Sequence, residues 1–123
     1  ELFRKSGFET TLYTEGEIRK MEPQQELILF RIVQESLNNI IKHAEARTIR
    51  VTALYTATEL DVQVEDDGKG ADPEQLDMEG NSFKSLGLRN MYNRARMIGG
   101  TFTIHSVPGN GTIIKLNIPI NKI

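Results

Sequence analysis

The sequence has no cysteine and no tryptophan. Without a thiol there is no disulfide, no thiolate zinc site and no cysteine nucleophile, a pattern that fits a reducing compartment. No apolar run approaches the roughly 18 residues of a membrane-spanning helix, and the N-terminus carries no signal-peptide pattern. Long basic runs are missing too: 15 Lys+Arg stand against 17 Asp+Glu, for a net charge of −2 and a pI near 5.7. That balance argues against nucleic acid or an anionic membrane as the main partner. There are no internal repeats and no low-complexity tracts. What remains is a chain of 123 residues, 38% hydrophobic and 26% charged. This is the composition of an ordinary globular domain, long enough for one core and short for two. A single domain over residues 1–123 is expected. The first residue is Glu1 rather than Met, so the chain reads as a piece of a longer protein.

Hydrophobic periodicity gives the order of elements. Residues 8–14, rich in Thr and aromatics, predict a first strand. Pro23 suits the start of a helix, and Gln24 to Ala44 has dense Leu, Ile and Val with no Gly or Pro, predicting one long helix. Residues 48–55 alternate, with Ile49, Val51, Ala53 and Tyr55 on one face. Residues 59–65 alternate as well, with Leu60, Val62 and Val64 opposite Asp61, Gln63 and Glu65. From Asp66 to Leu86 the pattern dissolves into about twenty residues of the kind that form a functional loop or lid. A second helix is expected over Leu88–Ile98, with Leu88, Met91, Tyr92, Ala95 and Ile98 as its apolar stripe and Gly99-Gly100 as its stop. Phe102 and Ile104, the turn Pro108-Gly109-Asn110-Gly111, and Ile114, Leu116 and Ile118 predict a closing hairpin. The implied class is α+β: a mixed, mostly antiparallel sheet with the helices on one face.

Four stretches carry possible chemistry. With Glu35 set at zero on the first helix, Asn39 falls at about 40°, Lys42 at about −20° and His43 at about 80°. Val33, Leu37, Ile40 and Ala44 lie at about 140–200° and should face the core. A solvated face with i,i+4 pairing accounts for the polar stripe. So does a site in which Glu35 and Asn39 are oxygen donors for Mg²⁺ and Lys42 neutralises phosphate. The second stretch is Asp66-Asp67-Gly68-Lys69-Gly70. It fits neither an EF-hand loop, a Walker A loop nor a dinucleotide fingerprint. It leaves a carboxylate at a strand end beside glycines, and a carboxylate accepts from an exocyclic amine such as that of adenine. The third, Ser85-Leu86-Gly87-Leu88-Arg89-Asn90-Met91, places a helix N-terminus where an anion can bind. The fourth, Gly109-Asn110-Gly111-Thr112, reads as a turn entering a strand. His105 is expected on the polar side of its strand.

In combination, the order Glu-x-x-x-Asn-x-x-Lys-His, Asp-Asp-Gly-Lys-Gly, Gly-Leu-x-x-Met and Gly-x-Gly-Thr resembles the catalytic ATP-binding domain of bacterial two-component sensor histidine kinases. That domain has the Bergerat fold of the GHKL ATPases, a two-layer α/β sandwich. Gln34 to Ala44 resembles the N box of the subfamilies in which it ends in Lys-His-Ala. Asp66–Gly70 resembles the G1 box and Gly87–Met91 the G2 box. The resemblance implies ATP and Mg²⁺ as cofactors, with Asn39 ligating the metal and Glu35 holding the metal or its water as the catalytic pair. It implies that Lys42 contacts phosphate and that His43 lines the phosphate or ribose side. Asp66 would accept the adenine amino hydrogen with support from Thr112, and Gly68 and Gly70 would let backbone close on the base. Gly87, Leu88 and the N–H groups that follow would cradle phosphate beneath a lid of roughly residues 71–86 carrying Phe83. Ser85 departs from the Gly usual at its position, so altered lid mobility is expected.

A sensor kinase phosphorylates a histidine on a separate helical dimerisation domain. Only about twenty residues precede the first helix, too few for such a domain, and neither His43 nor His105 suits the acceptor role. The chain therefore reads as an excised donor domain that lacks its substrate. The partners implied are that helical domain and, through it, a response regulator in a homodimeric parent, with no nucleic acid and no direct membrane contact from this domain. Its location is expected to be cytoplasmic, including in a parent anchored in the inner membrane. Two other readings share the same residues: an anti-sigma-factor serine kinase or other GHKL ATPase, and a nucleotide-binding interaction module without transfer activity.

Overall fold

The computed structural model describes residues 9–18, 20–70, 78–79, 82–83 and 86–120, with residues 43, 44, 78, 79, 82 and 83 described by backbone only. Strand β1 (Glu9–Glu15) leads to helix α1 (Pro23–Asn39), which runs into a π-helical turn over Ile40–Ala44. Strands β2 (Thr48–Tyr55) and β3 (Glu59–Asp66) follow, then a small hairpin of β4 (Met78–Glu79) and β5 (Ser82–Phe83). Helix α2 (Leu86–Met97), β6 (Thr101–Ser106) and β7 (Thr112–Pro119) complete the order. The main sheet has the order β1-β2-β3-β7-β6, with β1 parallel to β2 and every other pair antiparallel. The α+β class is as expected from the alternation. No helix among the described residues is long and apolar enough to cross a membrane.

The period of two decides which face is buried. On β3, Leu60, Val62 and Val64 face inward, and register sets them against Ile118, Leu116 and Ile114 of β7. All six are at most 5% exposed. Each such side chain contributes roughly 1.5–3 kcal/mol on leaving water. Ile32 of α1, Ile40 of the π-turn, and Leu88, Met91 and Ala95 of α2 close this face. The outward positions of the sheet are mostly polar: Asn117 donates to Glu59 and, at 2.6 Å, to Asp61. His105 lies on this exposed side, as the alternation predicts.

Four details differ from expectation. The long helix leaves α geometry at Asn39, and a π-turn, followed by Glu45 in the left-handed region at φ 53°, turns the chain into β2. Such turns are rare and concentrate at functional sites. The stretch after Asp66 is not devoid of structure, because the β4–β5 hairpin forms within it. Helix α2 starts at Leu86, two residues earlier than the apolar stripe suggested. The buried side of α1 is also rotated: Ile32 and Ser36 are fully buried, whereas Val33 and Leu37 are only partly so. Ser36 can sit there because its hydroxyl donates to the Ile32 carbonyl at 2.9 Å and lies 3.3 Å from Met91 Sδ of α2. The inter-helix seam therefore sets the buried direction of α1. Its most apolar arc does not, and Phe30 and Leu27 remain exposed.

Candidate functional site

Asp66 is the next inward position of β3 after Leu60, Val62 and Val64, so the strand period itself buries a carboxylate. It is 5% exposed. Its Oδ1 accepts the N–H of Gly68 at 2.8 Å, closing a tight turn at the strand end. Burial pushes the carboxyl above its ordinary range; the Gly68 N–H opposes this, the Asp67 charge adds to it, and the Thr112 N–H opposes it again. A charged acceptor held mostly dry favours any donor brought to it.

Thr112 begins β7 and lies directly across the ladder from Asp66. Its hydroxyl is 2.9 Å from that of Ser106, whose own hydroxyl donates to the Gly111 carbonyl at 3.2 Å. Whichever hydroxyl donates in this pair, Thr112 keeps a lone pair as acceptor. Gly111, at φ +86°, passes so close to the Asp66 carbonyl that a Cβ there would collide with it. Gly70, at φ +80°, meets the Val107 carbonyl: a Cβ would come within 2.5 Å. The Gly109 N–H donates to the Lys69 carbonyl at 2.7 Å, so the 68–70 loop is docked on the β6–β7 turn. The Gly70 backbone freedom is thus taken up by this contact, and Gly68 is buried at the turn.

On α1, Glu35 and Asn39 are half-buried, and Lys42 of the π-turn is exposed. The buried stripe Ile32–Ser36–Ile40 lies at about 60–140° on the same wheel, so Glu35 and Asn39 flank the core face and are not opposite to it. The side chain of His43 falls outside the described residues. Glu35 and Asn39, one turn apart, offer a carboxylate and an amide oxygen on one stripe. No cluster of three or more His, Cys, Asp or Glu able to hold a metal exists among the described residues. Two hard oxygens suit Mg²⁺, which keeps waters and shares its shell with phosphates. They do not suit an all-protein cage.

At α2, the N–H groups of Leu86, Gly87 and Leu88 in the first turn have no carbonyl within the helix. Gly87 is half-buried, and Leu88 is buried at 7% exposure with its side chain in the core, so only its backbone can meet a ligand. Ser85 and most of the expected lid, residues 71–77, 80–81 and 84–85, lie outside the described residues, as does the Phe83 side chain. Two further residues shape the site without a signal in the sequence. Asp67 accepts the N–H groups of Arg47 and Thr48 at 2.8 and 3.0 Å, and Ser106 seats Thr112. Only the strand register brings either to its partner.

Comparison with known proteins adds to this geometry. A family described as histidine kinase-, DNA gyrase B- and HSP90-like ATPases matches residues 24–122. The chain is 36% identical over 107 residues to the signal transduction histidine-protein kinase/phosphatase DegS of Bacillus subtilis, covering 87% of this chain and 27% of that one. It is 39% identical over 92 residues to the sensor histidine kinase LiaS of the same organism, covering 75% and 24%. The chain thus spans about a quarter of the length of these relatives. A solved histidine kinase domain, from the blue-light activated kinase EL346 of Erythrobacter litoralis, superposes with a TM-score of 0.75 at 23% identity. That match covers 93% of this chain and 52% of the other, and the likeness is one of fold.

Proposed function

The chain belongs to the family of histidine kinase-, DNA gyrase B- and HSP90-like ATPases, and on that premise we propose that it is the catalytic ATP-binding domain of a sensor histidine kinase. In this reading it binds Mg-ATP and presents the γ-phosphoryl group to a histidine on a separate helical domain of a homodimeric parent, which then serves a response regulator. The domain works on the cytoplasmic side. The similarity to DegS and LiaS, both sensor kinases, favours a histidine acceptor over the serine-kinase alternative.

The observation that carries the reading is Asp66, a buried carboxylate at a strand end with an acceptor hydroxyl across the ladder. Adenine presents an amine to such a pair. Guanine presents a carbonyl at the same position and would be repelled. Glu35 and Asn39 would hold Mg²⁺, which supplies charge neutralisation at the phosphates when bound. Lys42 would add a point charge there, with the Gly87 and Leu88 N–H groups meeting phosphate oxygens. Transfer would break the bond from the γ-phosphorus to its bridging oxygen, releasing ADP, as a bond to the acceptor imidazole nitrogen forms. This domain's part is to position the donor and spread its charge.

Thermal melts with Mg-ATP and Mg-GTP test the assignment. At about 100 Kd a ligand stabilises the fold by about 2.7 kcal/mol. Mg-ATP should raise the midpoint and Mg-GTP should not. Equal shifts, or none, would refute the adenine site.

A further inference from the structure

We propose that Asp67 is a positioning residue for the nucleotide, holding the phosphate-side end of α1 at a fixed place relative to the base-side end of β3; the inference rests on the function proposed above. One oxygen of its otherwise exposed side chain, Oδ1, takes two backbone donors: the N–H of Arg47 at 2.8 Å and that of Thr48 at 3.0 Å. These N–H groups, Thr48 first and Arg47 second, hold its carboxyl below the usual range. The group is therefore charged at neutral pH, and that charge is engaged by backbone.

The place of the clamp gives it a role beyond tying down a loop. The β2–β3 ladder stops at the Ile49–Asp66 pair, and the Asp67 side chain extends the connection past the end of β3. The donors it holds lie just after the π-turn Ile40–Ala44, separated from it only by Glu45 and Ala46. In that spacer Glu45 sits in the left-handed region and Ala46 packs against the core. The Arg47 carbonyl, in turn, accepts the Glu9 N–H of β1 at 2.9 Å. The Asp67 carboxylate thus adds a hydrogen-bonded connection between the end of β3 and the segment that follows Lys42. A nucleoside triphosphate must meet both ends at once, whereas a nucleoside meets only one. Loosening the clamp should therefore cost affinity for the phosphates and spare affinity for the base.

The test is a competition assay against a fluorescent adenine nucleotide at constant magnesium, with ATP and adenosine as competitors for the parent, Asp67→Ala and Asp67→Asn chains. In Asp67→Ala, ATP affinity should fall roughly tenfold, the weight of one charge-assisted hydrogen bond, while adenosine affinity is unchanged. Asp67→Asn keeps an Oδ1 acceptor without the charge and should lose clearly less ATP affinity than Asp67→Ala. If Asp67→Ala does not melt cooperatively, Asp67→Glu replaces it, because it keeps the charge and displaces the oxygen by a methylene; the same selective loss is expected. Equal losses for both competitors, no loss for either, or a loss in Asp67→Asn as large as in Asp67→Ala would overturn the inference. A parent that does not prefer ATP to adenosine would remove the proposed function and this inference with it. Failure confined to the variants leaves that function standing.

Discussion

Replacing Asp66 by Asn changes a single atom in the site and should move binding and stability in opposite directions. The amide keeps one oxygen for the Gly68 N–H but presents an NH₂ where a ligand amine would donate, so donor meets donor. A hydrogen bond to a charged acceptor contributes about 1.5–3 kcal/mol, so its loss should weaken ATP by about ten- to a hundredfold. Stability behaves differently. Burial raises the Asp66 carboxyl pKa in the folded chain. A raised folded pKa means that the neutral acid is favoured on folding: this contribution is complete below the unfolded value, near 3.9, and is lost as pH rises through the folded one. At pH 7 the parent carries the full desolvation cost of the carboxylate, whereas the amide avoids it. Asp66→Asn should therefore be at least as stable as the parent at pH 7. Its margin should shrink as pH falls from neutral toward 4, because protonation relieves the parent. Other carboxylates are common to both chains and cancel to first order. Chemical denaturation of both chains at several pH values, with calorimetric titration of ATP, gives both readouts. Parent-like ATP affinity, or a stability difference that does not change with pH, would refute the reasoning.

Three further outcomes are expected. Gly111→Ala forces a Cβ into the Asp66 carbonyl at a left-handed φ and should cost about 2 kcal/mol or more in urea denaturation; a parent-like midpoint would contradict that packing. Asn39→Ala should remove most of the gain in ATP affinity that magnesium brings while leaving magnesium-free binding near the parent value, in contrast to Asp66→Asn, which weakens both. Incubated alone with γ-labelled ATP, the chain should acquire no acid-labile, alkali-stable label; efficient labelling at His43 or His105 would overturn the donor-domain reading.

Some of this is legible in the sequence and some is not. The alternation of β3 is a property of a few adjacent residues, and extending it by one step is enough to bury Asp66. The second helix, its stop at Gly99 and the closing hairpin are equally local. The buried side of α1 is not legible in this way, because its most apolar arc is not the arc that faces the core. Ser36 can be buried through its bond to the Ile32 carbonyl and its contact with Met91 55 residues away, while Phe30 stays out. Nothing in Ile40-Ile41-Lys42-His43-Ala44 distinguishes a π-turn from a last α turn, since propensity scales treat both as helix. The Asp67 clamp joins residues 20 positions apart and exists only once β2 and β3 are in register.

Strand β1 has a further consequence for how the molecule breathes. All seven of its residues are exposed, and Leu12, its inward apolar residue opposite Val51, is 72% exposed even when paired. Detaching β1 from the sheet edge therefore uncovers little apolar surface that water does not already reach. The denaturant dependence of an opening scales with the surface it exposes. Amide exchange along Thr10–Glu15 should be nearly independent of denaturant, whereas amides of β3, flanked by strands on both sides, should exchange with the steep dependence of global unfolding.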